Sequence, residues 1–350
     1  MPPTPQYFLG IDLHKAVVQV CVLDAAGTVV HEERFRVETL AERTELLHAL
    51  ASWRPARMAV EAVGLNRWFV NACRERGHDL VVADAGRLNL RASGKKTDRR
   101  DALEIARRLR LGDLDRHAAT YFPPDAEYGL RQLERVRHDL VKQRTHLGNR
   151  IRAMLDAYRI DAPPGKLHSR RAIAALRAVR FPVEDLDRCL QALVHTLAGV
   201  CESVDQLTAQ IGKRAAAPRI TGLSEMIPEV GVLTALTVVA ELGEVRRFRN
   251  ARTVASYAGI APRVANSADT SHHGRITKRG NAEVRWALNQ AAVRLLARHP
   301  LVRRWAAPHL RRMHKNKVRT MLARRLLVGI YIVLSRGEVF SLERCLGLAA

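Results

Sequence analysis

From Leu186 onward, an apolar side chain recurs at Leu190, Leu193, Leu197, Val200, Val204, Leu207 and Ile211. The steps alternate four and three without a break, the signature of a long helix with one continuous buried stripe, a coiled-coil seam. A second periodic stretch precedes it, with Leu133, Leu140, Leu147 and Met154 seven apart within residues 126–158. As one helix that stretch would run about 50 Å. Asp161-Ala162-Pro163-Pro164-Gly165 ends it, since proline cannot continue a helix. A long coiled-coil middle, residues 119–215, is therefore expected between an N-terminal domain, 1–118, and a C-terminal domain, 216–350. Spacing leaves open whether the two helices pair within one chain or across a dimer.

The N-terminal region has a different period. Tyr7-Phe8-Leu9-Gly10-Ile11-Asp12-Leu13 reads as a buried strand with an acid near its end. Residues 16–23 form a Val-rich second strand, Asp24-Ala25-Ala26-Gly27 a turn, and residues 28–37 a third strand. Residues 40–53 have helical spacing, and Met58-Ala59-Val60 is a strand that runs into Glu61. A helix at 66–76, a strand at 79–83 and a helix from Asp98 close the unit. The order β-β-β-α-β-α-β-α is that of an RNase H-like domain, so the expected fold class is α/β followed by all-α.

Asp98 and Asp101 stand three apart at a helix start, which puts both carboxylates on one helical face. One reading is a cap: Asp98 at the N-cap and Asp101 in the first turn, where the helix dipole favours an acid. The other joins them to Asp12 and Glu61. Four carboxylates at one sheet edge make a hard oxygen site suited to Mg²⁺ or Mn²⁺. Two such ions about 3.5–4 Å apart serve phosphoryl transfer. Asp84, after the strand Val81-Val82-Ala83, is a rival fourth acid. Lys95, Lys96, Arg99 and Arg100 flank the Asp98 pair and suit a nucleic-acid phosphate or, equally, a solvated face.

The chain carries 58 Lys+Arg against 35 Asp+Glu, a formal charge of +23 spread along its length. Such an excess points to a polyanionic partner, nucleic acid first. Residues 284–337 hold 13 of the Lys and Arg and no Asp or Glu, with Arg311, Arg312, Lys315 and Lys317 among them. The five cysteines are scattered without a CxxC, which indicates neither a zinc site nor a disulfide framework and fits a reduced, cytoplasmic setting. The start of the chain has no signal-peptide pattern, and the longest apolar run, 326–334, is too short to span a bilayer.

In the C-terminal region Ile227-Pro228-Glu229-Val230-Gly231 resembles a helix–hairpin–helix turn, in which Gly231 would supply a tight backbone; a plain helix-packing turn is the alternative. A polar loop is expected at 264–274, containing Ser267, Ser271, His272 and His273, with Arg263 and Arg275 on its flanks. A loop serine is an ordinary turn residue, or a nucleophile where a base or metal activates it. Lys278 and Arg279 lead into the next helix.

Six motifs in order resemble the DEDD-type insertion-sequence transposases, the group of RNA-guided (bridge-RNA) serine recombinases. They are Gly10-Ile11-Asp12, Val60-Glu61-Ala62, Lys96-Thr97-Asp98-Arg99-Arg100-Asp101-Ala102, Ile227-Pro228-Glu229-Val230-Gly231, Tyr257-Ala258-Gly259-Ile260-Ala261-Pro262-Arg263, and Gly274-Arg275-Ile276-Thr277-Lys278-Arg279-Gly280-Asn281. The resemblance implies a RuvC-like domain, a coiled coil and a transposase domain with a catalytic serine. It maps the metal acids to Asp12, Glu61, Asp98 and Asp101 and the serine to Ser267. It implies strand cleavage and exchange through a covalent phosphoserine, with a noncoding guide RNA selecting target and donor DNA. A homo-oligomer, dimer or tetramer, acting on DNA in the bacterial cytoplasm at the nucleoid is the expected assembly. Where the family commonly has Ser-Gly-Gly, this chain has Ser267-Ala268-Asp269, so Ser271 stays a second candidate. Two other readings are a Holliday-junction-type metal-dependent endonuclease and a non-catalytic nucleic-acid-binding relic.

Overall fold

The computed structural model describes residues 4–88, 97–267 and 270–348, with the side chains of 263–275 outside that description. The chain divides into two compact units, Met1–Phe122 and Pro123–Ala350, with the break at the Pro123-Pro124 pair.

The first unit is built on a five-stranded mixed sheet. Its strands are β1 (Tyr7–Leu13), β2 (Val17–Asp24), β3 (Val29–Arg36), β4 (Ala56–Glu61) and β5 (Asp79–Ala83), in the spatial order β3-β2-β1-β4-β5. β1 runs antiparallel to β2 and parallel to β4, so the meander feeds into crossover connections. This is the arrangement of an RNase H-like domain. Its α-helices among the described residues are α1 (Leu40–Ala51), α2 (Arg67–Glu75), the single turn α3 (Ala85–Leu88) and α4 (Asp98–Arg110). A capping box between Thr39 and Glu42 starts α1. Leu9, Ile11, Val20, Val22, Met58, Val60 and Phe69 fill one side of the sheet, facing α1 and α2. Edge strand β3 is mostly charged and exposed, which discourages pairing with another chain. The opposite edge, β5, is covered by residues 118–120, where Asp84 N–H bonds the Ala118 carbonyl and Thr120 N–H the Val82 carbonyl. Burial pushes the Cys21 and Cys73 thiols up to about 11 and about 12, so both act as small apolar groups.

Among its described residues the second unit is helical apart from one hairpin and the connecting turns. In order it contains α5 (Asp125–Ala157), α6 (Arg170–Ala178), α7 (Glu184–Ala215), α8 (Pro218–Met226), α9 (Val232–Leu242) and α10 (Ala251–Tyr257). The hairpin β6 (Pro262–Ser267) and β7 (Thr270–Ile276) follows. Helices α11 (Ala282–Arg298), α12 (Pro300–Leu310), α13 (Lys315–Arg336) and α14 (Leu342–Leu346) complete the chain. α5 and α7 pack on each other within one chain, with Ile151 and Leu155 against Leu190, Val194 and Leu197. Further along α7, Ile211 and Ala215 join the large core of α8 to α14. Past its first turn α9 is buried on nearly every side, in keeping with its mostly apolar sequence. Among the described residues no helix is long and apolar enough to cross a membrane.

Two sequence expectations change here. Residues 264–267 and 270–274, expected as loop, belong to the two strands of an antiparallel hairpin, in register Asn266 to Ser271 and Ser267 to Thr270. Gly231 has an ordinary extended backbone, φ −68°, and a methyl group there would meet nothing. Glu229 takes the left-handed conformation instead, φ +61°. Arg294 holds it by bonding the Glu229 carbonyl at 2.8 Å, while Arg298 reaches its carboxylate.

Candidate metal centre and serine hairpin

The first unit brings its acids together through a close crossing of backbones. α4 lies directly on β1 at Gly10, where an added methyl carbon would sit 1.9 Å from the Ala102 carbonyl oxygen and 2.4 Å from the Ala106 nitrogen. Ala102 and Ala106, four apart on α4, are the buried small residues that permit this approach. The start of α4 is fixed by Thr97, whose Oγ1 accepts from the Arg100 N–H at 3.3 Å. Thr97, not Asp98, is therefore the N-cap, and neither aspartate is needed for that bond.

The consequence is a tight polar group at the end of β1. His14 Nε2 lies 3.2 Å from Asp12 Oδ2 and 3.4 Å from Asp98 Oδ1. One ligand atom from each of Asp12, His14 and Asp98 falls within 4.8 Å of the others. Asp12 is only 5% exposed. Burial pushes its carboxyl above the ordinary range, His14 pulls it back, and the charges of Asp98 and Asp101 push it up again. A buried carboxylate facing two further acids is a setting that a divalent cation would relieve. The carboxylates suit Mg²⁺ or Mn²⁺, and His14 adds a borderline donor.

Asp101 is buried on the same helix, and its charge is felt at Asp12. Glu61 ends β4; Ile11 pairs with Val60, so Glu61 is the next residue in register beside Asp12. Neither joins the tight three-atom group among the described residues. Asp84 is engaged elsewhere, since its Oδ1 accepts the Arg87 N–H at 3.0 Å and caps α3. Arg99 pairs with Glu32 on β3 and so is not an unengaged phosphate ligand. Arg34 stands 3.9 Å from Asp98 Oδ2. Lys95 and Lys96 lie outside the described residues. Sequence reasoning missed His14, which stands just past the end of β1, two residues after Asp12.

In the second unit the hairpin rises from a braced base. Asn281 N–H bonds the Tyr257 carbonyl at 2.7 Å, and Lys278 N–H bonds the Gly259 carbonyl at 3.2 Å. Gly280, φ +136°, has no room for a side chain because the Tyr257 carbonyl would stand 2.3 Å from it. Beneath them the fully buried Glu241 accepts from Arg135 at 2.7 and 2.9 Å and from Asn281 Nδ2 at 2.6 Å. The Tyr257 hydroxyl donates to the Glu241 carbonyl. Two of the sequence motifs, around Gly259 and Gly280, are thus the two halves of one strut. Ser267 is the last residue of β6, and Ser271 the second of β7. The side chains of Ser267, Ser271, His272, His273, Arg263 and Arg275 lie outside the described residues.

Lys278 and Arg279 at the hairpin base are exposed, as are Arg311, Arg312, Lys315 and Lys317 between α12 and the first turn of α13. None of these six makes an ion pair with an acid among the described residues, so their charge is available to a polyanion.

A mixed sheet of this order with acids gathered beside its first strand is the class of an RNase H-like domain. Comparison with known proteins gives the family. Residues 9–160 match a family model for DEDD transposases of the IS110 type, described as "Transposase", and residues 223–308 match one described as "Transposase IS116/IS110/IS902 family". The transposase for insertion sequence element IS1111A of Coxiella burnetii is 27% identical over 344 residues, covering 95% of this chain and 90% of its own. The transposase for insertion sequence element IS1328 of Yersinia enterocolitica is 25% identical over 337 residues, covering 95% and 98%. The insertion element IS116 44.8 kDa protein of Streptomyces clavuligerus is 25% identical over 342 residues, covering 81% and 83%. The chain belongs to the IS110/IS116 family of insertion-sequence transposases.

Proposed function

We propose that this transposase cuts and rejoins DNA with a divalent cation held by Asp12, Glu61, Asp98 and Asp101, and keeps the broken strand on Ser267. The observation that carries the reading is the approach of Asp98 to the buried Asp12, bridged by His14. Bound Mg²⁺ or Mn²⁺ would supply charge stabilisation on the phosphate oxygens and activation of a nucleophile. Ser267 Oγ forms a bond to phosphorus as the bond to the leaving sugar oxygen breaks. The serine proton goes to solvent, and the leaving oxygen takes one up. One phosphodiester replaces another, so no nucleotide cofactor is consumed. A noncoding guide RNA selects target and donor DNA, and the cations at Lys278, Arg279, Arg311, Arg312, Lys315 and Lys317 hold backbone phosphates. Residues 1–118 serve as the acid-bearing part, 119–215 as a coiled-coil arm and 216–350 as the serine-bearing part. A dimer or tetramer, acting in the cytoplasm at the nucleoid, supplies the several active sites that strand exchange needs.

The test is a denaturing gel of the protein with its element-end DNA and guide RNA. Wild type forms a covalent protein–DNA adduct; Ser267→Ala forms none while binding DNA normally; Asp98→Asn neither traps nor cleaves. An adduct that survives in Ser267→Ala moves the nucleophile to Ser271 or elsewhere. Cleavage without any adduct in wild type would make water the nucleophile and the protein a metal-dependent nuclease.

A further inference from the structure

The second unit contains a cavity that none of the chemistry above uses. It has a volume of about 550 Å³ and lies among α5, the first turn of α9 and α11. That volume is in the range of sites for single small ligands, about 300–1,000 Å³.

Three features of its lining bear on what it takes. Trp286 of α11 is 46% exposed, an unusual state for the largest apolar side chain. His138 of α5 backs the indole at 4.1 Å between ring centroids and is itself pinned by Glu283 at 2.7 Å. The ring is therefore held in place, yet much of it is uncovered. The start of α9 is bare of any side-chain cap, so its first amides are donors in search of an anion. Arg137, Arg144 and Arg294 line the same space and add positive charge.

The third feature is Glu134, only 8% exposed, whose Oε1 is buried without a hydrogen-bond partner. Its other oxygen lies 3.0 Å from the Thr237 hydroxyl. An unpartnered buried acceptor is costly, and a donor carried by a ligand would relieve it. A planar platform, anion donors at a helix start and a recessed N–H acceptor together match one chemical unit: a nucleotide, with its base on the ring, its phosphate at the amides and arginines, and a base-edge N–H on Glu134.

We propose that this cavity binds one unpaired nucleotide of a nucleic-acid strand, with its base stacked on Trp286. A base within a duplex is already stacked on both faces and cannot enter, so the ligand is a single strand, a bulge or an extruded base. The proposal rests on the reading that the chain handles nucleic acid, and it adds a site that distinguishes unpaired from paired strands.

Fluorescence anisotropy of the full chain tests it. The probes are fluorescein-labelled single-stranded RNA, single-stranded DNA and duplex DNA of one mixed sequence, at one salt concentration. Trp286→Ala weakens single-strand binding about tenfold or more, the loss expected for one base stack, and leaves duplex binding within about twofold. Trp286→Phe, which keeps a ring, retains most of the affinity. Glu134→Leu also weakens single-strand binding, while Thr237 keeps its 2.9 Å hydrogen bond to the Leu233 carbonyl. A larger loss on RNA or on DNA tells which strand supplies the nucleotide. Equal loss on single strand and duplex, unchanged binding in Trp286→Ala, or tighter binding in Glu134→Leu would overturn the proposal. If wild type binds duplex but no single strand, the cavity assignment fails while the nucleic-acid reading stands; if it binds none of the three, both fail.

Discussion

Gly10 sits where β1 and α4 cross, with no space for even a methyl group before the Ala102 carbonyl oxygen. Backbone cannot yield as a flexible side chain can, so Gly10→Ala must lift α4 from the sheet. The expected cost is about 3 kcal/mol, at the upper end of ordinary overpacking, measured by urea denaturation. Cleavage should be lost as well, because the same shift carries Asp98 and Asp101 away from Asp12. Asp12 itself gives a pH prediction. Its folded carboxyl is raised above its ordinary value of 3.8, mainly by burial. The folded state therefore holds this proton more tightly than the unfolded state. The stabilisation is complete below about pH 3.8 and disappears as pH rises through the higher folded value. In metal-free buffer at neutral pH, Asp12→Asn should raise the Tm, with the gain shrinking towards acid. Added Mn²⁺ should then raise the Tm of wild type and not of the variant; a metal-free wild type more stable than Asp12→Asn at pH 7 would count against the burial argument. At this scale the places of the acids in the fold were legible, because Asp12 and Glu61 stand at or beside a strand end and Asp98 and Asp101 open a helix. The division of labour at Thr97 was not, since Thr and Asp are both good caps and stand side by side. His14 was hidden by lying just past the strand end.

The heptad seam of α7 was legible as a helix, and its partner is α5 of the same chain. Leu190 and Leu197 are fully buried there, among Ile151, Leu155 and Leu176. Replacing both with Glu should cost several kcal/mol of the chain's own stability, because two charges would enter an apolar core unpaired. Urea denaturation measures this; unchanged stability with an altered oligomer mass in light scattering would instead place the seam between copies. The hairpin was illegible for a definite reason. Val264, Asn266, Ser267, Thr270 and Ser271 show no alternation of apolar and polar residues, so period two gives no signal. Their base is braced by Glu241, Tyr257 and Asn281, which are distant along the chain, and support of this kind leaves no local pattern. The glycine at 231 misled in the opposite sense: a turn was present, but Glu229 two residues earlier carries its left-handed backbone.

Across the whole molecule the positive charge divides into engaged and available parts. Arg57 is shared between Asp79 and Asp115, Arg99 pairs with Glu32, and Arg135 with Glu241. Arg311, Arg312, Lys315 and Lys317 are exposed without an acid partner among the described residues. Changing these four to Ala should weaken binding to any DNA sequence alike. It should also flatten the dependence of log affinity on log salt by roughly 0.9 for each phosphate that is no longer neutralised. A loss confined to one sequence, or an unchanged salt slope, would show that these cations do not meet the backbone. Composition predicted the polyanion; only the fold separates the cations already spent on structure from those left over.

The crossing at Gly10 also sets a clock. Asp12 leaves the ribosome 86 residues ahead of Asp98, as 98 − 12 = 86. At about 5–20 residues per second that interval is several seconds or more. During it the first strands can form, yet the donor group has only part of its members. The group is complete only once α4 lies on the sheet, because Asp98 and Asp101 belong to α4. On the function proposed above, a nascent or half-unfolded chain lacks the complete acid group, and cleavage waits for α4 as well as for the later-made Ser267.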